Sequence, residues 1–401
     1  MVFLHVECAR NANDTTNTAR RTKSDSNIPV ELLSIIGPGP RCSTFGQRAT
    51  LAACAFRVGG RILWKSQLRG RTQRGETVLL LQNVDISVII PTRNRAAWLP
   101  TCLAHLEQQT FPAGRFEVLV VDDGSTDDTV SVLERFASGA PVCIRNHTQS
   151  RRGLAAACNL GAANAIGDTL LFLSDDELVS PRLLELYQGM RERQGPDTCI
   201  MGDVHRHPQL PRDTFTRLFL DRNLAPDASD ESPAHFLDWQ SSNFCLDRQC
   251  FLDAGGFETD EVMEPVAAIE LASRLASRGI SPRYLPDARV YVWQPTTFAA
   301  ERRRQYRFGY ALKHLQARTR ASAIPRRFRL LKSRAEQFLN TFTIPFYIRA
   351  CNRHESESNM LIGNLYKRVL HYDRCNGYQD ALLNRALRPP AAEVVTKPIT
   401  A

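Results

Sequence analysis

Ile86-Ser87-Val88-Ile89-Ile90, closed by Pro91-Thr92-Arg93-Asn94-Arg95, is the stretch that decides the fold. A short β-branched run halted by proline reads as a strand that empties into a polar loop. Downstream, Ala96 to Gln109 reads as a helix, with Leu99, Leu103 and Leu106 spaced for one face. Phe116 to Val121 is a second strand, apolar after Glu117, as suits a parallel strand buried on both sides. It ends in Asp122-Asp123-Gly124-Ser125-Thr126-Asp127-Asp128, followed by a helix from Thr129 to Phe136. An Ala-rich helix spans Leu154 to Ala165, and a third strand, Thr169 to Leu173, runs into Ser174-Asp175-Asp176-Glu177. Strand, loop and helix in repeated succession predict an open α/β sheet with right-handed crossovers. In such sheets ligands sit at the loops after the strand C-termini.

Those loops hold the candidate chemistry. A carboxylate at a strand end accepts from uracil N–H or ribose hydroxyls, and a neighbouring Asn or Arg supplies matching donors. Asp127 and Asp128 directly precede Thr129 and read as helix caps; Asp123 reads as a ligand contact. Asp175 and Asp176 are adjacent acids and repel unless a cation joins them. Hard oxygen ligands suit Mg²⁺ or Mn²⁺ bridging phosphates. The same four residues also fit a capping box, with Ser174 as cap and Glu177 three residues on.

Taken together, Ile86–Arg95, Glu117–Thr129, Arg152–Gly161 and Gly167–Glu177 resemble family 2 glycosyltransferases of the GT-A fold. The likeness runs through Gly153-Leu154-Ala155-Ala156-Ala157-Cys158-Asn159-Leu160-Gly161, Asn243-Phe244, Phe251 to Phe257, Glu270 to Leu275 and Tyr284 to Ala288, about 200 residues in all. Each motif is weak alone; their order and spacing are specific. The resemblance implies a GT-A-like open mixed sheet flanked by helices. It implies transfer of a sugar, with inversion, from a nucleotide-diphosphate donor to a glycan or lipid-linked acceptor, in polysaccharide biosynthesis at the cell envelope. Pro91, Thr92, Asn94, Arg95, Asp122, Asp123 and Gly153 would hold the nucleotide. Asp176 matches the last Asp of the metal motif and, with Asp175, would hold Mg²⁺ or Mn²⁺.

The chain departs from the family pattern at the reaction centre. Ser174 stands at the first Asp of the metal motif. The family's Glu-Asp pair, whose second member is the usual general base, falls on Ala267-Ala268, and alanine takes no proton. Glu264 is the one spare carboxylate nearby. Val292 stands where the family often has His. The alternative to an enzyme is therefore a catalytically impaired relative that binds nucleotide-sugar or acts as a scaffold.

Charge is unevenly spread over the 401 residues. The formal net of +9 divides into +7 for residues 1–80, −11 for 81–300, +10 for 301–336 and +3 for 337–401. A body that is itself acidic argues against nucleic acid as the partner, and no zinc-finger, RRM or basic-zipper pattern is present. Residues 1–83 lack periodicity and predict disorder or a spurious extension; 84–298 form the GT-A-like domain; 299–401 form a basic helical extension. Within it Phe328, Leu331, Ala335, Phe338 and Phe342 make an amphipathic stripe. Residues 301–344 then suggest either peripheral contact with an anionic membrane or docking on the acidic body. No apolar run of membrane-spanning length occurs. The eleven cysteines lack zinc spacing and read as reduced thiols. The expected location is the cytoplasm, or the inner face of its membrane.

Overall fold

The computed structural model describes residues 30–33, 55–58, 61–64, 84–210, 241–294, 296–318, 334–353 and 360–390. Two units are described separately, Met1–Asn83 and Val84–Ala401. In the first, β1 (Val30–Leu33), β2 (Ala55–Val58) and β3 (Arg61–Trp64) form an antiparallel three-stranded sheet. The rest of residues 1–83, for which the sequence predicts disorder or a spurious extension, lies outside the described residues. The sequence carries the missed signal: β2 and β3 flank Gly59-Gly60, a two-residue hairpin pair.

In the second unit, eight strands form one sheet in the order β6-β5-β4-β7-β10-β9-β11-β8. They are β4 (Ile86–Thr92), β5 (Phe116–Asp122), β6 (Cys143–Thr148), β7 (Thr169–Phe172), β8 (Glu177–Val179), β9 (Thr198–Arg206), β10 (Phe244–Asp247) and β11 (Ser281–Val292). β6, β5, β4 and β7 run parallel; β10 is antiparallel to β7 and β9, and β8 to β11, while β9 and β11 are parallel. The α/β open mixed sheet expected from the sequence is the one observed.

Alternation sorts the strands' side chains between two cores. Ile86, Val88 and Ile90 of β4 join Phe116, Val118 and Val120 of β5 beneath α1 (Leu99–Glu107), α2 (Thr129–Gly139), and, after α3 (Leu154–Asn164), α4 (Leu183–Gln194). Ile89 and Leu119 face the other way, against α3, α5 (Arg248–Asp253) and α6 (Ala267–Ser277). Every residue of β5 is buried, which explains its unbroken apolar run. Each such Val or Leu contributes about 1.5–3 kcal/mol by leaving water. α3 can lie this close to the sheet because Gly161 has no side chain: a Cβ there would stand 2.6 Å from Ile89 Cγ2.

Two boundaries differ from expectation. β4 continues through Pro91 to Thr92. The ladder to β7 ends at Ile89, so the N–H that proline lacks would face a position beyond the ladder, while the Thr92 carbonyl still accepts from Asp123 N–H. α1 starts at Leu99 rather than Ala96, with Pro100 in its first turn, where a proline's missing donor costs nothing.

The chain after β11 is not a separate domain. α7 (Phe298–Arg318) packs Ala311, Leu312 and Leu315 on Met263, Val266 and Ile269 of the body. α8 (Arg334–Arg353) and α9 (Met360–Leu382) join it through a core of Phe298, Ile344, Cys351, Tyr366 and Val369. Arginines of α7 pair with acids of the body, Arg307 with Glu264 and Arg318 with Glu258 and Asp260, and with acids of the extension itself, Arg302 with Asp373 and Arg304 with Glu301. This is the docking alternative for residues 301–318. Phe328 and Leu331 of the amphipathic stripe lie outside the described residues, as do the side chains of Ala335 and Phe338; Phe342 is exposed. No helix among the described residues is long and apolar enough to cross a membrane.

Candidate active site at the strand ends

Four loops converge where β4, β5, β6 and β7 end. The loop after β4 is braced against the loop after β5. Asn94 sits in the left-handed region at φ 54°, its N–H donating to Ser125 Oγ while its side-chain oxygen accepts from Thr126 N–H. Arg95 N–H donates to Thr129 Oγ1, and Asp127 accepts from Ala96 N–H and Thr129 N–H. Asp127 thus caps α2, as its position suggested, and these bonds hold its carboxyl below the usual range despite partial burial. Asp128, the other expected cap, makes no capping bond.

Asp122 and Asp123 are both buried. Asp122 accepts from the Ser125 backbone N–H and hydroxyl. Asp123 accepts from Gln149 Nε2 at 2.8 Å, Arg152 N–H at 2.7 Å and Gly153 N–H at 2.9 Å. These three bonds fasten the 149–153 loop beside β5. Gly153 closes that loop at φ 91°, a conformation L side chains rarely adopt, and opens α3.

The 174–177 turn is the fourth loop. Ser174 N–H donates to Glu177 Oε2 at 2.9 Å, half of the predicted capping box, but no helix follows; Glu177 starts β8. Ser242 Oγ donates to the other Glu177 oxygen at 2.5 Å. Burial pushes the Glu177 carboxyl up to about 7. Cys102 of α1 reaches the same turn, its thiol 3.3 Å from the Glu177 carbonyl, and burial raises that thiol well above its ordinary value.

Asp175 accepts from Thr92 Oγ1 at 2.8 Å and pairs with Arg95 Nε at 3.3 Å. Burial lifts its carboxyl to about 6 while Arg95 pulls it down. Through these two contacts Asp175 ties the β7 end to the β4 loop. Asp176 is half-buried, accepts from Ser174 Oγ at 2.6 Å through one oxygen, and its carbonyl accepts from Trp293 N–H. No group of three His, Cys, Asp or Glu side chains among the described residues could hold a metal by itself.

Glu264 opens a 3-10 turn, Glu264–Val266, directly before α6. Its Oε1 lies 3.7 Å from where a Cβ on Gly153 would stand, so it overhangs the 149–153 loop. Its Oε2 accepts from Arg307 Nη2 at 2.7 Å. Ala267 and Ala268 are buried at the start of α6. Sequence reading missed Arg307, hidden in a long basic segment. It also passed over Arg93, whose Nε is buried with no partner among the described residues.

Comparison with known proteins adds the following. Residues 87–234 match the family model for glycosyl transferase family 2. A PGL/p-HBAD biosynthesis glycosyltransferase of Mycobacterium tuberculosis is 38% identical over 119 residues, 29% of this chain and 46% of that protein. Validoxylamine A glucosyltransferase of Streptomyces hygroscopicus is 30% identical over 219 residues, 49% of this chain and 52% of that protein. The chain thus spans about half the length of these curated relatives. Among solved structures, it is similar to a mannosyltransferase from Pyrobaculum calidifontis in complex with GDP-Man and Mn2+, at 21% identity, covering 76% of this chain and 88% of that one, with a TM-score of 0.49.

Proposed function

We propose that this chain moves a sugar from a nucleotide-diphosphate donor to a hydroxyl of a glycan or lipid-linked acceptor, a reading that starts from the match of residues 87–234 to the glycosyl transferase family 2 model. The observation that carries the reading is the convergence of the 91–95, 122–125, 149–153 and 174–177 loops at one end of the parallel strands, cross-braced by Asp123 and Asp175. Such bracing pre-positions the loop backbones, so little ordering is left for the moment of binding.

The nucleotide lies along Pro91, Asn94 and Arg95 and over Gly153, with Thr92, Asp122 and Asp123 holding those loops in place. A divalent cation, Mg²⁺ or Mn²⁺, fits as one that arrives with the donor. The Asp176 carboxylate would be the protein group that holds it. Its chemistry would be to neutralise the departing diphosphate. Glu264 is the carboxylate placed to take the acceptor's proton. The acceptor oxygen bonds to the anomeric carbon as the bond to the diphosphate breaks, and the diphosphate leaves with the electron pair. Attack from the opposite side inverts that carbon.

The alternative, a binding or scaffolding relative, draws on one observation: the family's base position is the buried Ala268. Product analysis with a panel of UDP-, dTDP- and GDP-sugars and Mn²⁺ separates the two. An enzyme releases nucleoside diphosphate from at least one donor; a scaffold binds the nucleotide and releases nothing. We place this activity in the cytoplasm or at the inner face of its membrane.

A further inference from the structure

We propose that Arg303 and Arg307 of α7 grip the diphosphate of the donor, and that Arg307 must leave Glu264 to do so, freeing that carboxylate only when the donor is loaded. The inference rests on the donor reading above and assigns its diphosphate contacts to a helix outside the 87–234 match.

The placement comes from three points on the chain. Trp293 N–H is bonded to the Asp176 carbonyl, so the chain leaves β11 beside the 174–177 turn and enters α7 shortly afterwards at Phe298. Further along α7, Arg307 is bonded to Glu264, which overhangs Gly153. The first half of α7 therefore runs from Asp176 toward the 149–153 loop, the span a donor's diphosphate would occupy. Arg303 lies one turn before Arg307 on the same helix face, about 6 Å away along the axis.

The other arginines in this half of α7 are engaged elsewhere: Arg302 with Asp373, and Arg304 with Glu301. Arg303 differs, because its Nη1 is buried with no hydrogen-bond partner among the described residues. A buried guanidinium nitrogen without an acceptor is costly unless an acceptor arrives. Arg307 has one, but it is a single carboxylate on a half-buried side chain. A diphosphate carries more charge and more acceptor oxygens, and it matches the guanidinium fork in bidentate fashion.

Exchange of partners has a chemical consequence. While Arg307 is on Glu264, the guanidinium occupies one of the two carboxylate oxygens. Once Arg307 turns to the diphosphate, that oxygen is open to the acceptor hydroxyl. The proton of the acceptor hydroxyl then passes to Glu264, the acceptor oxygen bonds to the anomeric carbon, and the diphosphate leaves with the electron pair of the broken bond.

Titration calorimetry on the full chain with Mn²⁺ tests this, using UDP, dTDP and GDP with their monophosphates and continuing with the base that binds. Arg303→Ala and Arg307→Gln should each weaken the diphosphate about tenfold or more while leaving the monophosphate nearly unchanged. Arg307→Lys should recover part of the loss. Glu264→Gln should tighten diphosphate binding several-fold, because Arg307 is no longer held back, and this gain should vanish in the Arg307→Gln background. Equal losses for mono- and diphosphate, or a Glu264→Gln variant that binds diphosphate no better than the parent, would overturn the inference and leave the donor reading standing. A parent chain that binds none of the three diphosphates would remove the donor reading and this inference with it.

Discussion

Asp176 is the residue on which the cation half of the account turns, because Asp175 beside it is already held by Thr92 and Arg95. Asp176→Ala is expected to abolish Mn²⁺-dependent donor binding while the fold stands, since among the described residues its side chain bonds only Ser174, within its own turn; calorimetry with and without Mn²⁺ reads this. Asp123 has the opposite character. Asp123→Ala strands three N–H donors of the 149–153 loop, and an unsatisfied buried donor costs about 1–3 kcal/mol. The melting temperature should fall and nucleotide affinity with it; an unchanged melting temperature would place the loop's support elsewhere. Glu177 gives a pH signature. Its folded carboxyl ionises at about 7, against an ordinary value of 4.5. Between those values the folded chain keeps a proton that the unfolded chain has released, so stability falls as pH rises through the window. Asp175, at about 6, falls away earlier, which leaves the fall from about pH 6 to 7 to Glu177. Glu177→Gln should flatten that last part of a denaturation-against-pH curve, its amide able to donate to Ser242.

At the scale of elements, packing of α3 on β4 sets the distance between the 149–153 loop and the sheet. Gly161→Ala drives a methyl to within 2.6 Å of Ile89 Cγ2, and relieving such overpacking costs about 1–3 kcal/mol, measurable by urea denaturation. These elements were the legible ones. β4, β5 and β7 show themselves as β-branched apolar runs ending in polar loops, a pattern that depends only on neighbours in sequence. The strands of residues 30–33, 55–58 and 61–64 were overlooked because their surroundings are polar and aperiodic, although Gly59-Gly60 marks a hairpin. The site was legible as residue types and loops, not as partners. Asp123 and Asp175 stand in the expected loops, yet their carboxylates face protein donors from residues 149–153 and from Thr92 and Arg95. Which donor reaches which acid depends on the fold, and no local pattern records it. Arg307 was invisible for the same reason: one arginine in a basic run looks like another until Glu264 is beside it.

For the whole molecule, the division of charge takes on a structural meaning. The basic segment after β11 does not stand apart from the acidic body; Arg307 and Arg318 pair with Glu264, Glu258 and Asp260, and Leu312 and Leu315 cover Met263 and Val266. Cutting the chain after Thr297 should therefore expose that apolar patch and give a product that aggregates or unfolds without a sharp transition. A soluble fragment with a cooperative melt would instead show that α7 to α9 are dispensable to the body. The central claim is that the loops at the strand ends bind a nucleotide-sugar and pass its sugar on, and donor turnover tests it most directly. Purified chain is incubated with Mn²⁺ and a panel of UDP-, dTDP- and GDP-sugars, and released nucleoside diphosphate is measured beside Asp176→Ala. The account predicts Mn²⁺-dependent release from at least one donor and its loss in the variant. Release from no donor, or release that Asp176→Ala leaves intact, would contradict it.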